Sequence, residues 1–293
     1  MIGDHGGRDG PLRPRTVNPT YETMTLDDPG EAGIEFWRAT DLVRDYDRQD
    51  LRPVEAYVLE RYRDALSGRV LELGVGAGRV TRYLYPIATQ LHGIDISPAM
   101  VRQSSRLFPN ATITVRDLRE VGVYGRATLD AVVGSFNVID VLDDPDRQAV
   151  LGELAKVLVP GGMLVFSSHN LGALSRVRGP FGQLIDDARH LRIKRSAAGL
   201  VRLPRRLGNH ARMRRFEQDG PGYAMVNDRA HDYQLVQYYI DRDGQERQLA
   251  RHGFRLEACY DLRGAIVPPG SAAPDDLELY YVAIKDEAAA PAA

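Results

Sequence analysis

Apolar positions follow two rhythms along this chain, and each change of rhythm marks an element. From Gly33 to Leu66 they recur at helical spacing. Ile34, Trp37, Leu42 and Tyr46 form one stripe, and Val54, Tyr57, Val58 and Tyr62 form another behind Pro53, a residue suited to a first helical turn. From residue 69 onward, short apolar runs alternate with longer amphipathic ones. The runs at 69–73, 91–95, 111–115, 129–134 and 162–167 predict five strands with helices between them. Leu158-Val159-Pro160-Gly161-Gly162 predicts a turn that stops the helix beginning near Pro145. The rhythm then breaks from about 171 to 240. It resumes with a polar helix from Asp241 to His252, a Gly253-Phe254 turn, a sixth strand from Arg255 to Tyr260 and a seventh from Leu279 to Ile284. This order predicts an α/β fold with a Rossmann-like seven-stranded sheet and a lid inserted after the fifth strand.

The ends read differently. Residues 1 to about 30 are rich in Gly, Pro, Asp and Arg without periodicity and are expected to be disordered, as is the Ala/Pro tail at 287–293. The chain thus divides into that segment, N-terminal helices at 31–66, a core at 67–170, the lid at 171–240 and the end of the core sheet at 241–286. Its 293 residues suffice for one large domain with such an insertion. The single cysteine, Cys259, excludes a disulfide framework and any cysteine-based metal site. No His/Asp/Glu cluster has metal-ligand spacing, so no metal is expected. No apolar run approaches about 18 residues and the start lacks an apolar signal core, so a cytoplasmic protein without a membrane partner is expected.

The chemistry is concentrated where strands end. Val70-Leu71-Glu72-Leu73-Gly74-Val75-Gly76-Ala77-Gly78 is an apolar strand running into a glycine-rich turn, which removes side chains where a ligand must lie against the backbone. A dinucleotide fingerprint counted from Gly74 would place its third glycine on Arg79, so that pattern fails. A second strand ends in Gly93-Ile94-Asp95-Ile96-Ser97-Pro98-Ala99-Met100, where Ser97 and Pro98 suit an N-cap and a first helical position.

The E-x-G-x-G-x-G and G-I-D-I-S-P-x-M strings, in this order, resemble the first two motifs of the class I S-adenosylmethionine (SAM)-dependent methyltransferases, of the type acting on small molecules. The L-x-P-G-G turn is similar to another signature of that family. The resemblance implies SAM as cofactor and a last strand that runs antiparallel. It implies a SAM pocket formed by Glu72, Gly74, Gly76 and Gly78, by Asp95 at the ribose with Ile96 and Met100 beside it, by Asp117 at the adenine amino group and by Leu118 on the ring. Ser135 and Phe136, with Asn137, would wall the pocket at the exit of the fourth strand. Tyr46 would meet the methionine end.

The lid is the part that can specify a substrate. Between Leu171 and Arg215 it carries twelve basic residues against two acids, Asp186 and Asp187, in a chain whose net charge is −2. That segregation points to an anionic partner: a small substrate with a carboxylate or phosphate, or an acidic carrier protein. Nucleic acid is disfavoured because no recognition signature accompanies the basic run. Alternation from Tyr233 to Ile240 predicts a strand, and the family resemblance implies that it crosses the pocket mouth. His231 in the lid and His169 at the end of the fifth strand are candidate general bases, and Tyr238 or Tyr239 could orient a nucleophile. The expected reaction is in-line methyl transfer to an O or N nucleophile of a small molecule in specialised metabolism. A macromolecule-modifying enzyme and a non-catalytic SAM-binding regulator are the alternatives.

Overall fold

A computed structural model describes residues 36–38, 50–176 and 193–287. Helix α1 (Pro53–Arg61) precedes strand β1 (Arg69–Leu73). Then follow α2 (Thr81–Leu84), β2 (Gln90–Asp95), α3 (Pro98–Leu107), β3 (Thr112–Val115), β4 (Leu129–Gly134), α4 (Asp144–Val157) and β5 (Leu158–Asn170). The insertion holds α5 (Ile193–Met213) and strands β6 (Gln218–Gly220), β7 (Tyr223–Val226) and β8 (Gln237–Ile240). Helix α6 (Arg242–Arg251), β9 (Phe254–Tyr260) and β10 (Glu278–Lys285) complete the chain.

The sheet runs β3-β2-β1-β4-β5, with all four pairings parallel. β10 lies antiparallel between β5 and β9. This is the expected seven-stranded core with its reversed strand. Alternation along each strand sends side chains to two cores. Leu71, Val132, Leu164 and Phe166 pack on one face with Val150, Leu151 and Leu154 of α4 and Leu249 of α6. Val70, Val133 and Val165 pack on the other with Val54 and Val58 of α1 and Leu84 of α2. Asp143 and Asp241 cap α4 and α6 by accepting from the backbone N–H groups of Asp146 and Gly244. No helix among the described residues is long and apolar enough to cross a membrane.

Three expectations need correction. The sheet has ten strands rather than seven, because the lid adds three of its own. β8 pairs in parallel with the last two residues of β5, His169↔Tyr239 and Asn170↔Ile240, and continues antiparallel into β7 and β6. The Pro160-Gly161-Gly162 segment is not a turn ahead of β5 but a bulge within it. Leu158 pairs with Leu129 and Met163 with Ala131, so the residues between loop out, and Gly161 takes φ +74°. The strand read over Tyr233–Ile240 begins only at Gln237. Residues 230–233 form a tight turn, with His231, Asp232 and Tyr233 all left-handed at φ +50°, +56° and +63°.

Candidate active site

The glycine turn after β1 opens a cradle. Gly74, Gly76 and Gly78 all have positive φ, at +65°, +53° and +88°. A Cβ on Gly74 would strike Val138 and one on Gly78 would strike Phe108, so both are needed for packing as well as for the turn. A Cβ on Gly76 would meet nothing within 4 Å, leaving bare backbone beside open space. Asp95, at the carboxyl end of β2, spans the turn. Its carboxylate accepts from the N–H groups of Gly76 and Ser97, each at 2.8 Å. Burial raises its pKa despite those two bonds. Met100 is buried and Ile96 is half-buried.

Glu72 lies on β1 just before the turn. It is buried, and its Oε2 has no hydrogen-bond partner. Burial pushes its pKa up to about 8. A buried carboxylate oxygen without a donor fits a cationic group, and the α-ammonium of SAM is such a group. With the bare backbone at Gly76 and the acceptor at Asp95, these residues fit SAM: Glu72 for the ammonium, Asp95 for the ribose hydroxyls.

Two ion pairs close the site from the start of α1, one from Glu55 within it and one from Arg52 just before it. Glu55 receives Arg79 of the glycine turn, whose Nη2 donates to Oε1 at 2.8 Å, and also accepts from Tyr280 and from the Arg52 backbone. Burial opposes ionisation of Glu55, but Arg79 outweighs it and lowers the pKa. Arg52 pairs with Glu278 of β10. The guanidinium carbons of Arg52 and Arg79 lie 4.4 and 4.9 Å from the centre of the Phe136 ring. Phe136 and Asn137, at the exit of β4, are both left-handed, at φ +63° and +58°, while Ser135 before them is half-buried.

At the carboxyl end of β5, His169 meets Asp140. The Nδ1 atom lies 2.8 Å from Asp140 Oδ2, and the backbone N–H of His169 donates to the same oxygen at 2.6 Å. On the other side, Nε2 is 3.2 Å from Asn137 Nδ2. The tautomer follows from the neighbours. Asn137 Nδ2 also donates to Glu278 Oε2 at 2.8 Å, and Glu278 is paired with Arg52, so the amide nitrogen faces both Glu278 and His169. His169 Nε2 therefore carries the lone pair and Nδ1 carries the proton, donated to Asp140. Asp140 is anchored in turn. Its Oδ1 accepts from Arg147 at 2.5 Å and from Ser168 at 2.7 Å. Arg147 is fully buried and also donates to Gln245, Gln248 and Ser168. Replacing Arg147 by methionine strands a buried carboxylate and should lower stability by about 3–5 kcal/mol, read from denaturant unfolding.

The lid supplies the remaining wall. Tyr239 stacks on His169 with centroids 4.8 Å apart, and its hydroxyl donates to Asp228 at 2.6 Å. His231 sits against Phe36 and Trp37, at 5.0 and 4.9 Å, and burial lowers its pKa, with His169 close enough to add to that effect. The structure thus brings His231 and His169 to one place. Asp140 orients His169, whereas aromatic faces hold His231. Tyr238 is not at this place. It is buried on the opposite face of β8 with Met213, Met225 and Val236, stacks on Tyr223, and its hydroxyl donates to Asp144 at 2.7 Å. The residue that reaches His169 is its neighbour, because β8 alternates and Tyr239 is the register partner of His169.

Other expected contacts fall as follows. Asp117 caps the turn at 118–124 by accepting from the Arg119 backbone at 2.9 Å, and is bonded by the Arg119 guanidinium. Burial raises its pKa, but Arg119 prevails and lowers it, with Arg38 contributing. Leu118 is half-buried and packs on the adjoining core. Tyr46 lies outside the described residues. Among the described residues no cluster of His, Cys, Asp or Glu could hold a metal ion. Asp140, Glu278, Arg52 and Asp228 belong to the site and carry no sequence signal beyond Asp140's place shortly after β4.

Residues 70–162 match the family model of a methyltransferase domain. The chain is 27% identical over 124 residues to a ubiquinone biosynthesis O-methyltransferase of Xanthomonas oryzae pv. oryzae, covering 41% of this chain and 51% of that one. It is 28% identical over 153 residues to an uncharacterised methyltransferase of Geobacillus kaustophilus, covering 47% and 68%. Its matches therefore span about half to two thirds of these relatives' lengths. A SAM-dependent methyltransferase from Clostridium acetobutylicum shares the fold, with a TM-score of 0.53 at 12% identity over 87% of this chain and 98% of the other. Residues 70–162 thus form a methyltransferase domain, on the fold of SAM-dependent methyltransferases, and the cofactor is SAM.

Proposed function

We propose that the protein methylates a hydroxyl oxygen of a small molecule, with His169 as general base and Asp140 as the group that orients it. The observation carrying this reading is the dyad itself: Nδ1 lies 2.8 Å from a fully buried carboxylate, and Nε2 holds the lone pair at the carboxyl end of β5. Open α/β sheets bind ligands at those ends. Bound at the glycine turn, SAM supplies a methyl group activated by its sulfonium charge. As the substrate oxygen takes that carbon, the C–S bond breaks with its electron pair on sulfur, and the hydroxyl proton passes to His169 Nε2. Asp140, fixed by Arg147, stabilises the imidazolium that forms. Tyr239, His231, Phe36 and Trp37 help to exclude water. The relative named as a ubiquinone biosynthesis O-methyltransferase agrees with oxygen as the acceptor.

The basic lid suits an acidic substrate of specialised metabolism in the cytoplasm. Arg205, Arg212 and Arg214 of the lid are exposed, while Arg206 is engaged with Asp232 at 2.8 Å and anchors the lid. Reversing the charge of the first three should raise KM for the substrate and spare SAM binding. Added salt should move the unmodified enzyme the same way, since exposed charges are screened beyond about 8 Å at physiological ionic strength. A KM indifferent to both makes the run a solvated surface. The reading as a whole is tested by calorimetry with SAM and NAD, followed by assay of S-adenosylhomocysteine release on candidate hydroxyl substrates. Binding of NAD instead of SAM ends it.

A further inference from the structure

We propose that Asn137 is a second recognition point for the substrate. Its side-chain oxygen accepts a hydrogen bond from a donor beside the hydroxyl being methylated, so the preferred substrate presents two neighbouring donors, such as a vicinal pair of hydroxyls. The inference rests on the reading of His169 as the base.

Asn137 is held with unusual care. It is 8% exposed and left-handed at φ +58°, a conformation that asparagine tolerates, and it follows Phe136, a bulky residue for which φ +63° is costly and for which such strain tends to persist at functional sites. Its backbone N–H donates to Ser167 Oγ at 2.8 Å. Its amide cannot turn over, because that would set Oδ1 against the Glu278 carboxylate, now 2.8 Å from Nδ2 and paired with Arg52. The atom left over is Oδ1, which is buried and has no partner. A buried amide oxygen without a donor costs about 1–3 kcal/mol. Such a cost is met when a ligand supplies the missing hydrogen bond.

The chemistry of that atom selects the ligand group. An amide oxygen accepts only, so it takes an O–H or N–H and rejects a carboxylate, phosphate or ether oxygen at that point. Its place selects the spacing. Asn137 Nδ2 is 3.2 Å from His169 Nε2. Nitrogen and oxygen of one amide are about 2.3 Å apart, so Oδ1 and Nε2 lie within about 5.5 Å of each other. Two acceptors that close are bridged by donors on adjacent carbons. The entering hydroxyl exchanges the long Nδ2···Nε2 contact for its own O–H···Nε2 bond, while its neighbour reaches Oδ1.

The test compares 3,4-dihydroxybenzoate with 3-hydroxybenzoate and 4-hydroxybenzoate, reading S-adenosylhomocysteine release. The unmodified enzyme should favour the diol in kcat/KM by about 10–100-fold. Asn137→Gly accepts the left-handed backbone without strain and removes only the side chain. It should bring that ratio close to one. Equal use of all three compounds, no turnover of the diol, or a preference that survives Asn137→Gly would each overturn the proposal. His169→Ala separates the two readings. If it lowers turnover of all three compounds, the base stands whatever Asn137 does. If turnover survives it while Asn137→Gly still erases the preference, the base reading fails and the recognition role holds.

Discussion

Replacing His169 by alanine should lower turnover by about 10²–10⁴-fold and leave SAM affinity nearly unchanged. The split is the informative part. His169 contacts Asp140, Asn137 and Tyr239, whereas the residues that fit SAM are Glu72, Gly76 and Asp95 on β1, the glycine turn and β2. His231→Ala should cost much less, because that ring packs between Phe36 and Trp37 and feels Asp228 and Asp232 only through space, whereas Asp140 is hydrogen-bonded directly to His169. Asp140→Asn is a poorer probe, since it also deprives the buried Arg147 of its counter-charge. Single-turnover rates with pre-bound SAM check the prediction, and near-normal rates for His169→Ala would refute the dyad.

The second large effect is a pH dependence of SAM binding. Burial holds the Glu72 proton up to about pH 8 in the folded protein, against an ordinary value of 4.5. The sign follows. Between those values the unfolded chain has released this proton and the folded chain has not, so raising the pH through this window removes stability. An ammonium docked on Oε2 favours the ionised carboxylate and reverses the penalty. SAM affinity should therefore rise by nearly tenfold per pH unit between about pH 5.5 and 7, levelling off where the α-ammonium itself begins to titrate near 7.7–8.0. Glu72→Gln should weaken binding and flatten the profile. A profile identical in the two proteins would remove Glu72 from the SAM site.

The core was legible because one physical rule governs it. Strands buried on both faces read as short apolar runs, and their ends carry glycine, Asp95 or a turn. Only the bulge at Pro160–Gly162 escaped, since a proline and two glycines read equally well as a turn. The SAM side was legible as local sequence for the same reason. The catalytic side was not, because it is made by register between distant segments. Asp140 reaches His169 across 29 residues, and Glu278 reaches Asn137 across 141. Tyr238 and Tyr239 are adjacent, and alternation alone says that they face opposite ways. Which one meets the site depends on the pairing of β8 with β5, and that pairing selects Tyr239. The left-handed turn at His231–Tyr233 has no glycine to announce it. It is latched by contacts from elsewhere: Arg206 and Asn209 to Asp232, and Asn227 to the Tyr233 carbonyl.

A crystal structure with S-adenosylhomocysteine should show its α-ammonium within hydrogen-bond reach of Glu72 Oε2, its ribose hydroxyls on Asp95, and its sulfur facing His169 and Asn137 at the carboxyl ends of β4 and β5. A product bound with its sulfur turned away from His169, toward another titratable side chain, would contradict His169 as the base.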